Sequence, residues 1–192
     1  MALFDDGLRI EGYSRLLGRG HAEQLVPMIA ALPGKGRADR IAVALGPGSF
    51  TGVRVGLAAA RALAFAWQAE LTGYPTLALI AAMARGERGA QALAVVTTGG
   101  HGEWFVQRFD EAGTPLGEAA SLAPEQAARQ VAETLLAGSQ ARALAELRGY
   151  GEALALLPDA NAYALLPARA LTGAVRPLYG RPPDARLPAA TP

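Results

Sequence analysis

The chain has no cysteine, which excludes a disulfide framework, thiolate chemistry and a thiolate-ligated metal centre. Imidazole is nearly as scarce. His21 and His101 are the only histidines, and no His-x-x-x-His pair supplies the three or four ligands a metal site commonly takes, so no metal is expected. Charged residues make up only 18% of 192 positions, eighteen basic against seventeen acidic, so the chain is neither a disordered polyampholyte nor a basic nucleic-acid module. Any RNA contact would come from a local patch or through a partner. Seventeen of the basic residues are arginine and Lys35 is the single lysine. No run reaches the roughly 20 apolar residues that span a bilayer, the longest, 55–67, being broken by Arg61, and no membrane association is expected. The first seven residues have neither the basic start nor the apolar stretch of a secretory signal, and a cytoplasmic location is the expectation.

What is abundant is apolar residues, 51% of a length ample for a buried core. Asp6-Gly7 tolerates positive φ and predicts a hairpin between residues 1–4 and a strand over 8–17, of which only about four residues find a partner upstream. Leu25, Ile29 and Leu32 recur at helical spacing over 21–32, with Glu23 suiting the first turn and Pro27 predicting a bend. Residues 33–40 read as loop and 41–45 (IAVAL) as a short strand apolar on both faces. A helix over 53–70, stopping near Gly73, a helix over 76–85, and strands over 92–97 and 103–109 around Gly99-Gly100-His101-Gly102 follow. Residues 124–137 read as a helix with proline in its first turn and Gly138 after its end, 141–151 as strand or turn, and 177–192 as a proline-rich extended tail.

Gly46-Pro47-Gly48-Ser49-Phe50-Thr51-Gly52 is a turn-rich connector with two candidate caps for the helix after it, Ser49 and Thr51. Gly46, Gly48, Ser49, Thr51 and Gly52 are also the candidates for a phosphate contact, because such a turn aims backbone N–H groups and a helix dipole at an anion. The familiar versions do not fit: Gly52 is followed by Val53-Arg54 rather than Lys-Ser/Thr, Thr51 stands where a dinucleotide fingerprint has its third glycine, and Pro47 and Thr51 stand where a nucleophile elbow has glycines. A capped strand-to-helix turn is the favoured reading. The helix itself carries Arg54, Arg61 and Gln68 at intervals of seven, one narrow polar stripe, and is apolar or small elsewhere. It should be covered from two directions, by a sheet and by helices of this chain or of a partner. His21 with Glu23, and His101 with Glu103, read as solvent-facing or capping pairs, Asp5 and Asp6 as turn residues, and Trp104 and Phe105 as core packing.

The stretch Gly46-Pro-Gly-Ser-Phe-Thr-Gly-Val-Arg-Val-Gly56, preceded by His21-Ala-Glu-Gln-Leu-Val-Pro-Met-Ile29 and followed by an alanine- and leucine-rich helix, resembles the TsaB (YeaZ) family, as in outline does the whole chain through Pro177-Leu-Tyr179 and Pro183-Asp-Ala185. The resemblance implies an α/β, actin-like or sugar-kinase-like (ASKHA) fold of two related halves, divided here as 1–90 and 91–192. It implies a non-catalytic paralogue, a pseudoenzyme scaffold without a cofactor of its own. Such a subunit binds and activates TsaD for transfer of threonylcarbamoyl to the adenosine beside the anticodon of tRNAs reading codons that begin with A.

The resemblance further implies pairing through the first two helices, with a second copy or with TsaD, and an assembly joined by the TsaE ATPase in which tRNA is met through the complex. Mapped onto this chain, the partner-binding candidates are His21, Leu25, Met28 and Ile29 on the first helix. On the second they are Val53, Leu57, Ala60, Arg61, Ala64, Trp67 and Gln68. Two departures stand out. The family opens with an apolar strand ending in Asp-Thr, which is absent before Asp6-Gly7, so the natural start is expected upstream of Met1 and the first half is expected to lack its first strand. The family's Asp-Ala-Arg before Gly-Glu is replaced by Thr97-Thr-Gly-Gly-His-Gly-Glu103. Two other classes remain open: an actin-like ATPase or small-molecule kinase using 46–52 for phosphate, and a peptidase-like protein.

Overall fold

The computed structural model describes residues 1–16 and 20–180. The proline-rich tail expected over 177–192 therefore lies, beyond Gly180, outside the described residues. So do positions 17–19, where the strand predicted from Leu8 was to end, and the Pro183-Asp-Ala185 signature. His21 is placed by its backbone alone.

Strands β1 (Ala2–Asp5) and β2 (Leu8–Gly12) form the expected hairpin, turning at Asp6 and Gly7, whose φ angles of 45° and 81° are those the Asp-Gly dipeptide tolerates. Met1 and Tyr13 extend the ladder with two exchanged hydrogen bonds of 2.8 Å each. This ribbon is not hydrogen-bonded to the next sheet. After helix α1 (His21–Ala30), with Pro27 inside it, and a left-handed turn at Gly34 and Lys35, β3 (Arg40–Ala44) pairs in parallel with β4 (Glu70–Tyr74). Helix α2 (Phe50–Trp67) makes the crossover.

The second sheet has five strands in the order β7-β6-β5-β8-β9. They are β5 (Leu93–Thr98), β6 (Trp104–Phe109), β7 (Ala120–Leu122), β8 (Leu135–Ala137) and β9 (Glu152–Leu154). Strands β5, β8 and β9 run parallel and β6 and β7 return antiparallel. Period-two alternation sorts β5 between two cores. Leu93 and Val95 meet Leu77, Ile80, Ala81 and Ala84 of α3 (Thr76–Arg88), together with Phe105, Phe109 and Leu135. Ala94 and Val96 face the other way onto Ala127, Val131, Ala141 and Leu144, brought by α4 (Pro124–Gln130) and α5 (Ala141–Arg148).

Several elements differ from the sequence expectation for physical reasons. Helix α2 ends at Trp67, not Glu70, because Gln68 takes the left-handed cap at φ 57° and donates its side-chain amide to the Phe65 carbonyl at 2.8 Å; the residues read as the helix end are β4. Gly73 is no helix stop: a Cβ there would lie 2.4–2.8 Å from the Leu45 side chain. Helix α4 closes at Gln130 and β8 follows inside the span read as one helix. The Arg148 guanidinium collects the carbonyls of Val131 at 2.6 Å and Glu133 at 3.0 Å, fixing the break. Residues 141–148, read as strand or turn, are α5, with Ala141 and Leu144 buried and Gly149 as left-handed cap at φ 76°.

From β9 the chain returns to the first half through short 3-10 turns at Ala160–Leu165 and Ala168–Ala170. Tyr163 sits between Phe4 and Tyr74, ring centroids 5.7 and 5.9 Å away, and Asn161 Oδ1 accepts from Arg9 at 3.0 Å. Burial pushes the Tyr74 hydroxyl up to about 12, with the neighbouring Tyr163 adding to the shift.

Candidate functional site

The glycine turn is held from both ends. Leu45 donates to the Tyr74 carbonyl at 2.8 Å and the Gly46 carbonyl accepts from Thr76 at 2.8 Å, so the buried stretch Leu45-Gly46-Pro47 is bolted to the end of β4. Of the two candidate caps Ser49 takes the role. Its Oγ accepts from the Gly52 amide at 3.3 Å, and its carbonyl from the Val53 amide at 2.9 Å. Thr51 is exposed within the first turn. Above the turn runs the segment 171–180: a Cβ on Gly46 would sit 2.7 Å from the Leu178 carbonyl oxygen, and the Leu178 amide donates to the Leu45 carbonyl at 2.7 Å. The arrangement is that of a capped strand-to-helix turn, as the spacing of its residues suggests.

Helix α2 presents three faces. Leu57, Ala60 and Ala64 are buried, at 2%, 6% and 8% exposure, on the side packed against β3 and β4. Proposed from the sequence as partner contacts, these three belong instead to this chain's own interior. The reason is the i, i+3, i+7 spacing of the smallest and most apolar positions, which suits close approach to a sheet as well as to another helix. The polar stripe is the second face, and it too is occupied from within. Arg61 Nη2 donates to the Val175 carbonyl at 2.7 Å, and Arg54 Nε and Nη2 reach the Tyr179 hydroxyl at 3.2 and 3.0 Å. Arg54 also lies over the Phe50 ring, 3.5 Å from its centroid. Gln68 caps its own helix.

The third face is open. Ala58, Ala62, Phe65 and Ala66, at i, i+4, i+7 and i+8, are exposed, and Phe65 stands 81% free. Val53 and Trp67, half-buried, lie on the inward side with Leu57, Ala60 and Ala64. On α1, which touches α2, Leu25, Met28 and Ile29 are half-buried and Val26 is 64% exposed. Phe65, Ala62 and Val26, exposed here, are not among the candidates drawn from the sequence. The signal that could have found them is the side of α2 opposite its Leu57-Ala60-Ala64 stripe.

The other sequence candidates are absorbed into structure. His101 sits in the β5–β6 turn at φ 58°, and Glu103 Oε2 accepts from Ser121 Oγ at 2.6 Å. Trp104 and Phe105 are core, one to each face of the second sheet. Among the described residues no group of three or more His, Asp or Glu side chains converges as a metal site, and no helix is long and apolar enough to cross a membrane.

The family model described as TsaD, tRNA N6-adenosine threonylcarbamoyltransferase, matches residues 15–164. The chain belongs to this family, on its TsaB (YeaZ) side. The tRNA threonylcarbamoyladenosine biosynthesis protein TsaB of Escherichia coli (strain K12) is 34% identical over 125 residues, which are 62% of this chain and 54% of that protein. The chain thus spans about half the length of that curated relative. Among solved structures, YeaZ from Pseudomonas aeruginosa superposes with a TM-score of 0.74 at 29% identity, covering 93% of this chain and 92% of that one. A second, described as an uncharacterized protein with similarity to peptidase YEAZ from Pseudomonas aeruginosa, gives 0.75 at 28%, covering 94% and 93%. The mixed α/β architecture is accordingly the actin-like, ASKHA-type fold that the sequence suggested.

Proposed function

We propose that the chain is a non-catalytic subunit that docks on TsaD and activates its transfer of threonylcarbamoyl to tRNA, and that docking uses the open face of α2. The observation that carries this is Phe65, a large aromatic 81% exposed on a helix whose neighbouring positions Ala58, Ala62 and Ala66 are small, exposed and free of charge. Small residues around one protruding ring let a second helix approach closely and give it an anchor to seat, the arrangement of an interface centre rather than of a solvated surface. Leu25, Met28 and Ile29 are half-buried on α1, which touches α2, while Val53 and Trp67 lie on the inward side of α2.

On this reading TsaE joins the assembly as its ATPase, tRNA is met through the complex, and the protein works in the cytoplasm. A second copy of the chain takes the same face when TsaD is absent. The two family halves divide near residue 90, with 171–180 returning to the first.

The test is the affinity for purified TsaD, measured by calorimetry or interferometry. Phe65→Asp and Ala62→Arg should each weaken it at least about tenfold, since each forces a charge into a desolvated contact, with circular dichroism and melting unchanged. Undiminished binding by both would overturn the reading. Ala60→Arg and Ala64→Arg are unsuitable, because both positions are interior and would report folding instead. Purified protein should show no peptide hydrolysis above background; activity that co-elutes through a second column would favour the peptidase class.

A further inference from the structure

The stitching of 171–180 onto α2 assigns a role to the two arginines that the docking face does not use. Residue by residue, the segment is tied to four places. Thr172 and Gly73 exchange backbone bonds at 2.8 and 2.9 Å, Val175 accepts from Arg61, Leu178 donates to Leu45, and Tyr179 accepts from Arg54. At its end a Cβ on Gly180 would lie 2.5 Å from the Phe105 ring, so the segment reaches the second half. Arg61 and Arg54 are separated by about 10 Å along the helix axis, and Val175 and Tyr179 by roughly 13 Å of extended chain. The strap therefore runs along the polar stripe, antiparallel to the helix, and holds it at two points one heptad apart.

Helix α2 needs such a hold. Its inward face offers Leu57, two alanines and the half-buried Val53 and Trp67 to a two-stranded sheet. The alanines at its centre are shallow knobs, so packing there fixes the helix's rotation weakly. A shift of one residue about the axis, about 100°, would carry Phe65 away from its outward position. No residue of 171–180 is buried and its bonds to Arg54 and Arg61 are exposed, while Thr172 and Leu178 bond to the buried Gly73 and Leu45, so the strap opens at less cost than the whole fold.

We propose that residues 171–180 are a clasp that holds α2 in its docking pose, with Arg54 and Arg61 as positioning residues rather than partner contacts. The proposal rests on the docking reading above and adds a control over it. Opening the clasp lowers the fraction of molecules able to dock, and the apparent Kd rises by the reciprocal of that fraction.

The experiment compares the double variant Arg54→Gln/Arg61→Gln, the conservative Arg54→Lys/Arg61→Lys, and Tyr179→Phe, which keeps the ring and removes the acceptor. In the chain alone, hydrogen exchange at the Gly73, Thr172 and Leu178 amides should accelerate about tenfold or more in the Gln variant, with Leu135 to Ala137 unchanged. Its Kd for TsaD should rise about tenfold, the Lys variant should recover both readouts, and Tyr179→Phe should loosen Leu178 alone. Faster exchange with unchanged Kd, while Phe65→Asp still weakens binding, overturns the clasp and leaves the docking face standing. A weakened Kd with unchanged exchange makes the arginines partner contacts and also overturns it. If Phe65→Asp binds like the parent, the docking reading falls and the positioning role falls with it.

Discussion

At the scale of single residues, two ionisable groups carry consequences for stability. Tyr74 is 5% exposed and its hydroxyl is pushed up to about 12 by burial, against 10.0 for an ordinary tyrosine. The folded state therefore holds this proton more tightly than the unfolded chain. The resulting stabilisation is complete below pH 10 and disappears as pH rises from 10 toward 12. Two units correspond to about 3 kcal/mol. Urea midpoints measured from pH 9 to 12 should fall across that window, and Tyr74→Phe should flatten the tyrosine-dependent part of the fall.

The second case is Glu133, 9% exposed, whose Oε1 accepts from Arg108 Nε at 2.6 Å while its Oε2 is buried without a partner among the described residues. Arg108→Ala leaves a desolvated carboxylate and should cost about 3 kcal/mol in chemical denaturation, whereas Arg108→Met/Glu133→Leu together should cost under about 1 kcal/mol. A double variant as unstable as the single one would show that the pair is worth more than its desolvation.

At the scale of elements, what could be read from sequence depended on whether an element shows one face to water or is bounded by a turn signal. Strands β5 and β6, buried on both faces over Leu93–Val96 and Trp104–Val106, are marked by the glycine turn between them, while helix α1 and the 76–88 helix have a polar side and their periodicity places them within a few residues. Strand β8 has none. Leu135, Leu136 and Ala137 are all at or below 1% exposure in the middle of the parallel sheet, and a continuous apolar run of that kind cannot be told from a helix. Gly138 strengthened the error, since a glycine after an apolar run reads as a helix stop. It is needed for another reason: its φ is 114° and a Cβ would lie 2.3 Å from the Val96 carbonyl oxygen.

Gly138→Ala should therefore cost more than about 3 kcal/mol, strain and collision combined. Gly117→Ala, at φ 141° with nothing within 4 Å, should cost only the conformational part, about 1 kcal/mol. Equal losses would mean that the approach of Gly138 to β5 is not what fixes it. For the candidate site the same limit applied differently. The apolar circumference of α2 announced two covers, but alanine is equally at home against a sheet or a partner, and Leu57, Ala60 and Ala64 could not be assigned to one side by composition.

Across the whole molecule, burial is distributed unequally. Both buried clusters belong to the second sheet and the helices on it, α3 included. Outside α3, the first half contributes Leu32, Leu45, Leu57, Ala60, Ala64 and Tyr74, and neither the ribbon nor α1 has a buried apolar residue. Local stability follows buried apolar contact. In native-state hydrogen exchange, β5 and β8 should open only with global unfolding, and β3 and α2 should exchange at a lower free energy. A partner that binds only the folded first half then stabilises it by mass action, about 2.7 kcal/mol when its free concentration is a hundred times Kd. Saturating TsaD should therefore slow exchange most in α2 and β3 and leave β5 and β8 nearly untouched. Protection appearing instead on α4 and α5 would place the interface on the opposite side of the molecule and remove the open α2 face from the docking account.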